Sequence, residues 1–355
     1  MNTADVFRRL SRAVKFSAVS ILILAVTSSG FAAQTGPSSE AGSRQLPTTR
    51  ISDRIRVDGD VEYIEFVPDR SVFSLDYVKA PDRPRSIFWS PLLTFVLPGV
   101  DQLIESQIPQ AGLYAGTAVT GLGITILAAR QSLRVSGSTR NDYDDLATLG
   151  SQVFMAAGSF SAYSSFRSAA RTHQPEGRFT FLTKEERVDD LLKAPFDFSL
   201  LEKRNTWIPL LIALGLGVVD VTSNREPLSH NSYNIQNAAF GTSFSYLAGT
   251  NEEALFRGWL MPVLQDRFDS NFWSNTATAG IFAAAHLGSV RVPIAQFLLG
   301  WHLGHVAQKN EWTLRESIFI HTWWDIILFT ADYLEKSKND PAHAVIRTPV
   351  INASF

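Results

Sequence analysis

The chain has no cysteine, which excludes disulfides, thiol nucleophiles and thiolate metal sites, and leaves its redox compartment unmarked. It also lacks an excess of charge of either sign. Its 32 Lys and Arg against 34 Asp and Glu leave a formal net charge of -2, which removes any electrostatic argument for a nucleic-acid partner. The hydrophobic fraction of 45% is ordinary, but the apolar residues are unevenly spread and gather in blocks of membrane-spanning length. A length of 355 residues has room for about two domains.

The N-terminus carries Arg8, Arg9, Arg12 and Lys15, then the apolar run FSAVSILILAV, then small residues around Gly30 to Ala33. This basic, apolar and small-residue order predicts a bacterial-type secretory signal peptide over 1–33, cleaved near Ala32 or Ala33, with an uncleaved anchor as the alternative. Residues 34–85 are polar and rich in Ser, Pro and Arg, and read as an irregular extracytoplasmic arm. One alternating stretch in it suits a small hairpin about Asp58-Gly59-Asp60.

Residues 86–205 read as N-terminal membrane helices and an amphipathic connector. The block Ser86–Val100 is short and ends in Pro-Gly, which fits a half-helix or re-entrant element as well as a span. Ala111–Ala129 has the length of a span, with small residues spaced for close helix contact. The intervening LPGVDQ resembles membrane hairpins built on a Pro-Gly-x-x-Gln turn, from which no function follows. A further helix is expected over Asp145–Ala169. In LTKEERVDDLLKAPFDF, Thr183 and Glu186 stand at capping-box spacing before an amphipathic helix, suited to a membrane surface or to a soluble linker.

Residues 206–335 carry five candidate membrane helices: Trp207–Val221, Gln236–Leu264, Phe272–Leu287, Val292–Val306 and Glu316–Leu334. A polar tail, 336–355, follows. The fold class expected is therefore all-α, a polytopic transmembrane helical bundle with a short extracytoplasmic arm.

Three of these helices hold ionisable residues at helical spacing. Glu253 and Arg257 are four apart, share a face and have the acid on the N-terminal side, the better order for an ion pair. Glu252 points about a quarter-turn away and has no local partner. Phe282 and His286 share a face among alanines, and His321 and Asp325 share another beside Trp323 and Trp324. Ionisable residues at membrane depth cost a few kcal/mol each, so each is a functional candidate. A carboxylate in a water-poor cavity suits proton acceptance, and one beside an imidazole can fix its tautomer. His302 and His305 sit near a helix end before Lys309 and are assigned to interfacial packing.

EEALFR (252–257), FAAAH (282–286) and HTWWD (321–325) resemble the ordered motifs Glu-Glu-x-x-x-Arg, Phe-x-x-x-His and His-x-x-x-Asn/Asp of the CPBP family of intramembrane proteases. That family includes the type II CAAX prenyl endopeptidases and bacterial relatives linked to bacteriocin processing and self-immunity. The resemblance covers about Trp207 to Leu334. It implies a glutamate-dependent endopeptidase with Glu252 as general base and His286 helping to hold the attacking water. His321 and Asp325 would lie near the oxyanion, with Glu253, Arg257 and Phe282 supporting. An ionised Asp325 cannot donate to an oxyanion, so it is either protonated or orients His321. The CAAX label is ancestry, not substrate.

The resemblance implies no cofactor. As an alternative, Glu252, His286 and His321 would make a His2Glu zinc set with one open position, though no His-Glu-x-x-His signature is present. The expected partners are a membrane protein or peptide substrate and the lipid bilayer, with no nucleic acid. The expected location is the bacterial inner membrane, multi-pass, with the arm extracytoplasmic. The competing function is a non-catalytic scaffold, an immunity or assembly factor binding a peptide or protein on the same fold.

Overall fold

A computed structural model describes residues 85–222, 233–287 and 293–338. The signal peptide, the Asp58-Gly59-Asp60 hairpin and the tail beyond residue 338 lie outside them. The described residues form helices with no strand. In chain order these are α1 (Trp89–Val96), α2 (Val100–Ile104), α3 (Ile108–Ser132), α4 (Ser138–His173), α5 (Val188–Lys193) and α6 (Arg204–Thr222). Then come α7 (Ile235–Leu255), a π-helical turn (Phe256–Leu260), α8 (Met261–Phe268), α9 (Asn271–Ala285), α10 (Ile294–Lys309) and α11 (Arg315–Lys338).

Two helices, α3 and α6, are long and apolar enough to cross a membrane. Their apolar side chains face outward: Leu113, Val119 and Leu127 on α3 are exposed, as are Leu211, Ile212, Val218 and Val219 on α6. A surface greasy over a whole helix length suits lipid, whereas water-soluble chains seldom expose such a continuous patch. The remaining elements are all helical as expected, but α9 and α10 have only 15 and 16 residues.

The Ser86 block is broken, not a single span. Helix α1 stops before Pro98 and Gly99, the latter at φ 91°, and α2 restarts the chain in a new direction. Gln102 explains the LPGVDQ pattern. Its amide donates to the Ser161 carbonyl at 3.0 Å, and its oxygen accepts from Thr94 at 3.1 Å and Ser161 at 2.7 Å. The Gly99 N–H donates to Thr94 and Ser161 hydroxyls, so the groups freed by the break are satisfied without water.

Helices α3 and α4 form a close hairpin. Cβ atoms at Gly121 and Gly150 would lie 2.5 and 2.6 Å from backbone nitrogens of the facing helix, a contact only glycine allows. Helix α4 runs from Ser138 to His173, longer at both ends than the expected Asp145–Ala169. Its inner face supplies Phe160, Tyr163 and Phe166 to the main core, joined by Phe179, Leu191, Met261, Trp312, Leu314 and Ile318.

Two expectations about the connecting regions are corrected. Arg85, assigned to an irregular arm, is buried in an ion pair with Asp101. It also reaches Glu105 at 3.1 Å and donates to Ser168 at 2.8 Å. The Thr183–Glu186 capping box does not form. The Thr183 hydroxyl donates to Glu311, and α5 starts at Val188, where the Asp190 carboxylate accepts from the Arg187 N–H at 3.0 Å. The connector then continues through 3₁₀ turns at Ala194–Phe196 and Phe198–Glu202, so it is no continuous amphipathic helix. Helix α11 also continues to Lys338, past the expected end at Leu334.

Candidate active site

The site is built where α7 meets α11. Gly249 on α7 lies against Thr322, and a Cβ there would be 2.8 Å from the Thr322 backbone nitrogen. That contact brings the backbones close enough for short carboxylates one turn later on α7 to meet the imidazole on α11. Glu253 Oε1 is 2.9 Å from His321 Nδ1 and accepts the Arg257 Nη1 hydrogen bond at 2.7 Å. All three side chains are buried.

Arg257 is further fixed by donating to the Gly300 carbonyl at 2.8 Å and by lying over the Phe282 ring at 4.6 Å. It leaves α7 in the π-helical turn, where the widened backbone turns it toward α9 and α10; such single turns recur at functional sites. The expected i,i+4 pair is therefore present, and Glu253 holds His321 as well as Arg257.

With Nδ1 engaged by Glu253, His321 turns Nε2 toward Glu252 at 3.8 Å and Asp325 at 3.6 Å. Neither distance is a direct hydrogen bond. The carboxylate hydrogen-bonded to His321 is Glu253, on Nδ1, while Asp325, four residues on along α11, lies 3.6 Å from Nε2. Phe282 joins the two histidines: its ring is 5.8 Å from that of His321, edge to face, and 4.6 Å from that of His286. His286 caps α9 and engages the Phe282 carbonyl through Nδ1 at 2.8 Å.

The cluster is incompletely paired. Glu252 Oε2, Glu253 Oε2, Arg257 Nε and Thr322 Oγ1 are buried atoms with no hydrogen-bond partner among the described residues. Most buried polar atoms are satisfied, so four exceptions around one imidazole mark a place for chemistry or a bound group. Of the two adjacent glutamates Glu252 is the less enclosed, with 16% of its side chain exposed against none for Glu253; that of Asp325 is 24% exposed.

Among the described residues, a group of acidic or His ligand atoms within 4.8 Å of one another is formed by Asp220, Asp332 and Glu335, and not by Glu252, His286 and His321.

His302 and His305 stay outside the cluster, as expected. His302 Nε2 meets the Asn205 carbonyl at 3.0 Å, and His305 stacks on Trp301. Sequence reasoning did not find Gly249, Thr322 or Asn251, which is buried and donates to Gln152 at 2.9 Å from α4. Gly249 and Thr322 had no signal of residue type. Asn251 had one, a buried amide beside Glu252.

Residues 234–327 match the family model described as type II CAAX prenyl endopeptidase Rce1-like. This segment is an Rce1-like domain. The match takes in the whole of the cluster from Glu252 to Asp325 and ends two residues later. The helices from Trp89 to Thr222 lie outside it. Neither a curated protein nor a solved structure matches the chain. The Rce1-like domain marks a peptidase at the level of the family, and together with the outward-facing apolar helices it supports an integral membrane protein.

Proposed function

We propose that the chain is an intramembrane endopeptidase in which Glu252 activates water to hydrolyse a peptide bond of a membrane-associated protein or peptide. The observation that carries this reading is Glu252 Oε2, a buried carboxylate oxygen that takes no hydrogen bond from the described protein and faces a fixed imidazole at 3.8 Å. A general base needs an open lone pair next to a positioned partner, and the rest of the cluster supplies the positioning.

The step balances as follows. The water oxygen bonds to the carbonyl carbon as its proton passes to Glu252, and the carbonyl oxygen becomes an oxyanion. His321 meets this charge as the imidazolium: Nδ1–H is held by Glu253, and Nε2–H donates to the oxyanion. On collapse the C–N bond breaks and the amine nitrogen takes the proton from Glu252. Asp325, at 3.6 Å from Nε2, acts on that nitrogen through its field, and His286 helps hold the water. Glu253 and Arg257 keep His321 in place.

The test uses the full chain in detergent or liposomes against a membrane-peptide library, wild type beside Glu252→Gln, each with and without a strong chelator. Cleavage that falls by about 10²- to 10⁴-fold in the mutant and survives chelation is expected. Undiminished cleavage by Glu252→Gln would overturn the reading, and loss on chelation would replace it by the metal mechanism. A wild type that binds peptides without cutting them would favour the scaffold.

A further inference from the structure

We propose that Glu186, which precedes the Rce1-like domain by 48 residues, is the N-terminal cap of α11 and thereby a positioning residue for His321 and Asp325. Its carboxylate is buried, and it accepts from the Leu314 N–H through both oxygens at 2.9 Å and from the Arg315 N–H at 3.2 Å. These are the first amides of α11, which no turn of the helix itself can satisfy. A carboxylate at that end also opposes the helix dipole. Tyr163 on α4 fixes the acceptor from behind, donating to the Glu186 carbonyl at 2.9 Å and lying 3.4 Å from its Oε2.

The rest of the connector grips the same helix. Asp197 accepts from Arg315 at 2.6 Å, and Glu316 accepts from Lys203 and Thr206, each at 2.9 Å. Two residues beyond His321, Trp323 donates to the Pro195 carbonyl at 2.9 Å. His321 lies six residues into α11, about 9 Å along its axis. A helix held at its first residues and again at Trp323 has little freedom to rotate or slide, which is what fixes Nε2 against Glu252. The segment outside the domain is therefore part of the machinery that sets the site.

The surroundings make this cap sensitive to protons. Burial pushes the Glu186 carboxyl up to about 7, against the Leu314 and Arg315 amides and Arg167, which favour the charged form. The charged and titratable groups about it are Tyr163 and Arg167 on α4 and Lys184, Glu185, Arg187 and Asp190 in the connector. Arg315 and Glu316 stand at the start of α11, and Glu311 in the turn before it. Lys184 is paired with Glu311, and Arg315 with Asp197. Ionised, Glu186 offers both oxygens to the helix; protonated, it offers a weaker acceptor. Because its pKa in the fold is raised above 4.5, its contribution to global stability is full below pH 4.5 and is lost as pH rises through about 7.

The positioning of the reacting groups rests on the peptidase reading, whereas the cap does not, and the experiment separates them. Hydrogen exchange is read at pH 8 on wild type, Glu186→Gln and Glu186→Ala, over residues 313–318 and separately over 319–326. The Ala variant is expected to exchange about tenfold faster in both windows, with Gln restoring most of the protection. Unchanged exchange over 313–318 would overturn the cap, and acceleration confined to it would overturn the positioning role. These outcomes hold whether or not the chain cuts peptides. Where it does, the ratio of wild-type to Glu186→Gln kcat is expected near one at pH 6 and about three to ten at pH 8, with KM unmoved. A ratio flat with pH would overturn the proton sensitivity.

Discussion

Two buried charge clusters in this chain are built on opposite plans. Around Arg85 the guanidinium meets Asp101, Glu105 and Ser168, while Ser165 donates to Asp101 at 2.6 Å and His173 engages the Arg85 carbonyl at 2.8 Å. None of these side-chain atoms stands among the buried orphans. Around His321, four buried atoms lack partners, and Glu252 approaches the imidazole without bonding to it. Both clusters are costly to bury. The first is complete and holds α2 to α4; the second keeps unspent capacity at one point, as a reacting site must.

Four substitutions test that contrast, ordered by their expected effect on stability. Arg257→Met leaves Glu253 buried without its cation and is expected to cost about 3–5 kcal/mol in equilibrium unfolding, with hydrolysis lost as well. Arg85→Met is expected to cost about 2–3 kcal/mol, yet to leave kcat per folded molecule unchanged. A parallel loss of kcat would mean that the two clusters are one functional unit. Gly249→Ala forces α7 away from Thr322 and is expected to cost about 1–3 kcal/mol, lowering kcat by separating Glu252 from His321. Glu252→Gln, which ends hydrolysis, is expected to change the unfolding free energy by no more than about 1 kcal/mol, and in the stabilising direction. A large destabilisation by Glu252→Gln would show a structural carboxylate and remove the contrast.

The part of this plan that was legible in the chain is the part written in local spacing. Glu253 and Arg257 four apart, and Phe282 and His286 four apart, meet on one helix face each, so periodicity alone pairs them. Three motifs in fixed order then pointed to one site. What spacing does not carry is a partner far along the chain. Glu186 caps a helix beginning 129 residues later, and its distance from Thr183 mimicked a local capping box that the chain does not make. Arg85 sat in a polar stretch with no periodicity, and its partners lie on two helices. The i,i+4 rule also brings Asp325 to 3.6 Å from His321 Nε2, but it gave no sign that Glu253, on α7, takes Nδ1. Of the apolar blocks, α3 and α6 are the two described helices long and apolar enough to cross a membrane, and α9 and α10 have 15 and 16 residues.

The π-helical turn at Phe256–Leu260 acts as a gear change inside one continuous rod. Upstream of it, helical counting sends Glu253 toward α11; at the turn itself Arg257 reaches the Gly300 carbonyl on α10, and two residues later Trp259 donates to the Ile87 carbonyl near α1. One surplus residue lets both commitments be met. Removing a single residue from this turn would leave the hydrophobic content untouched, yet turn every later side chain of α8 by about 100°. The extra residue is thus a phase offset, and it is the reason that the reacting face of α7 and the anchoring face of α8 can belong to the same rod.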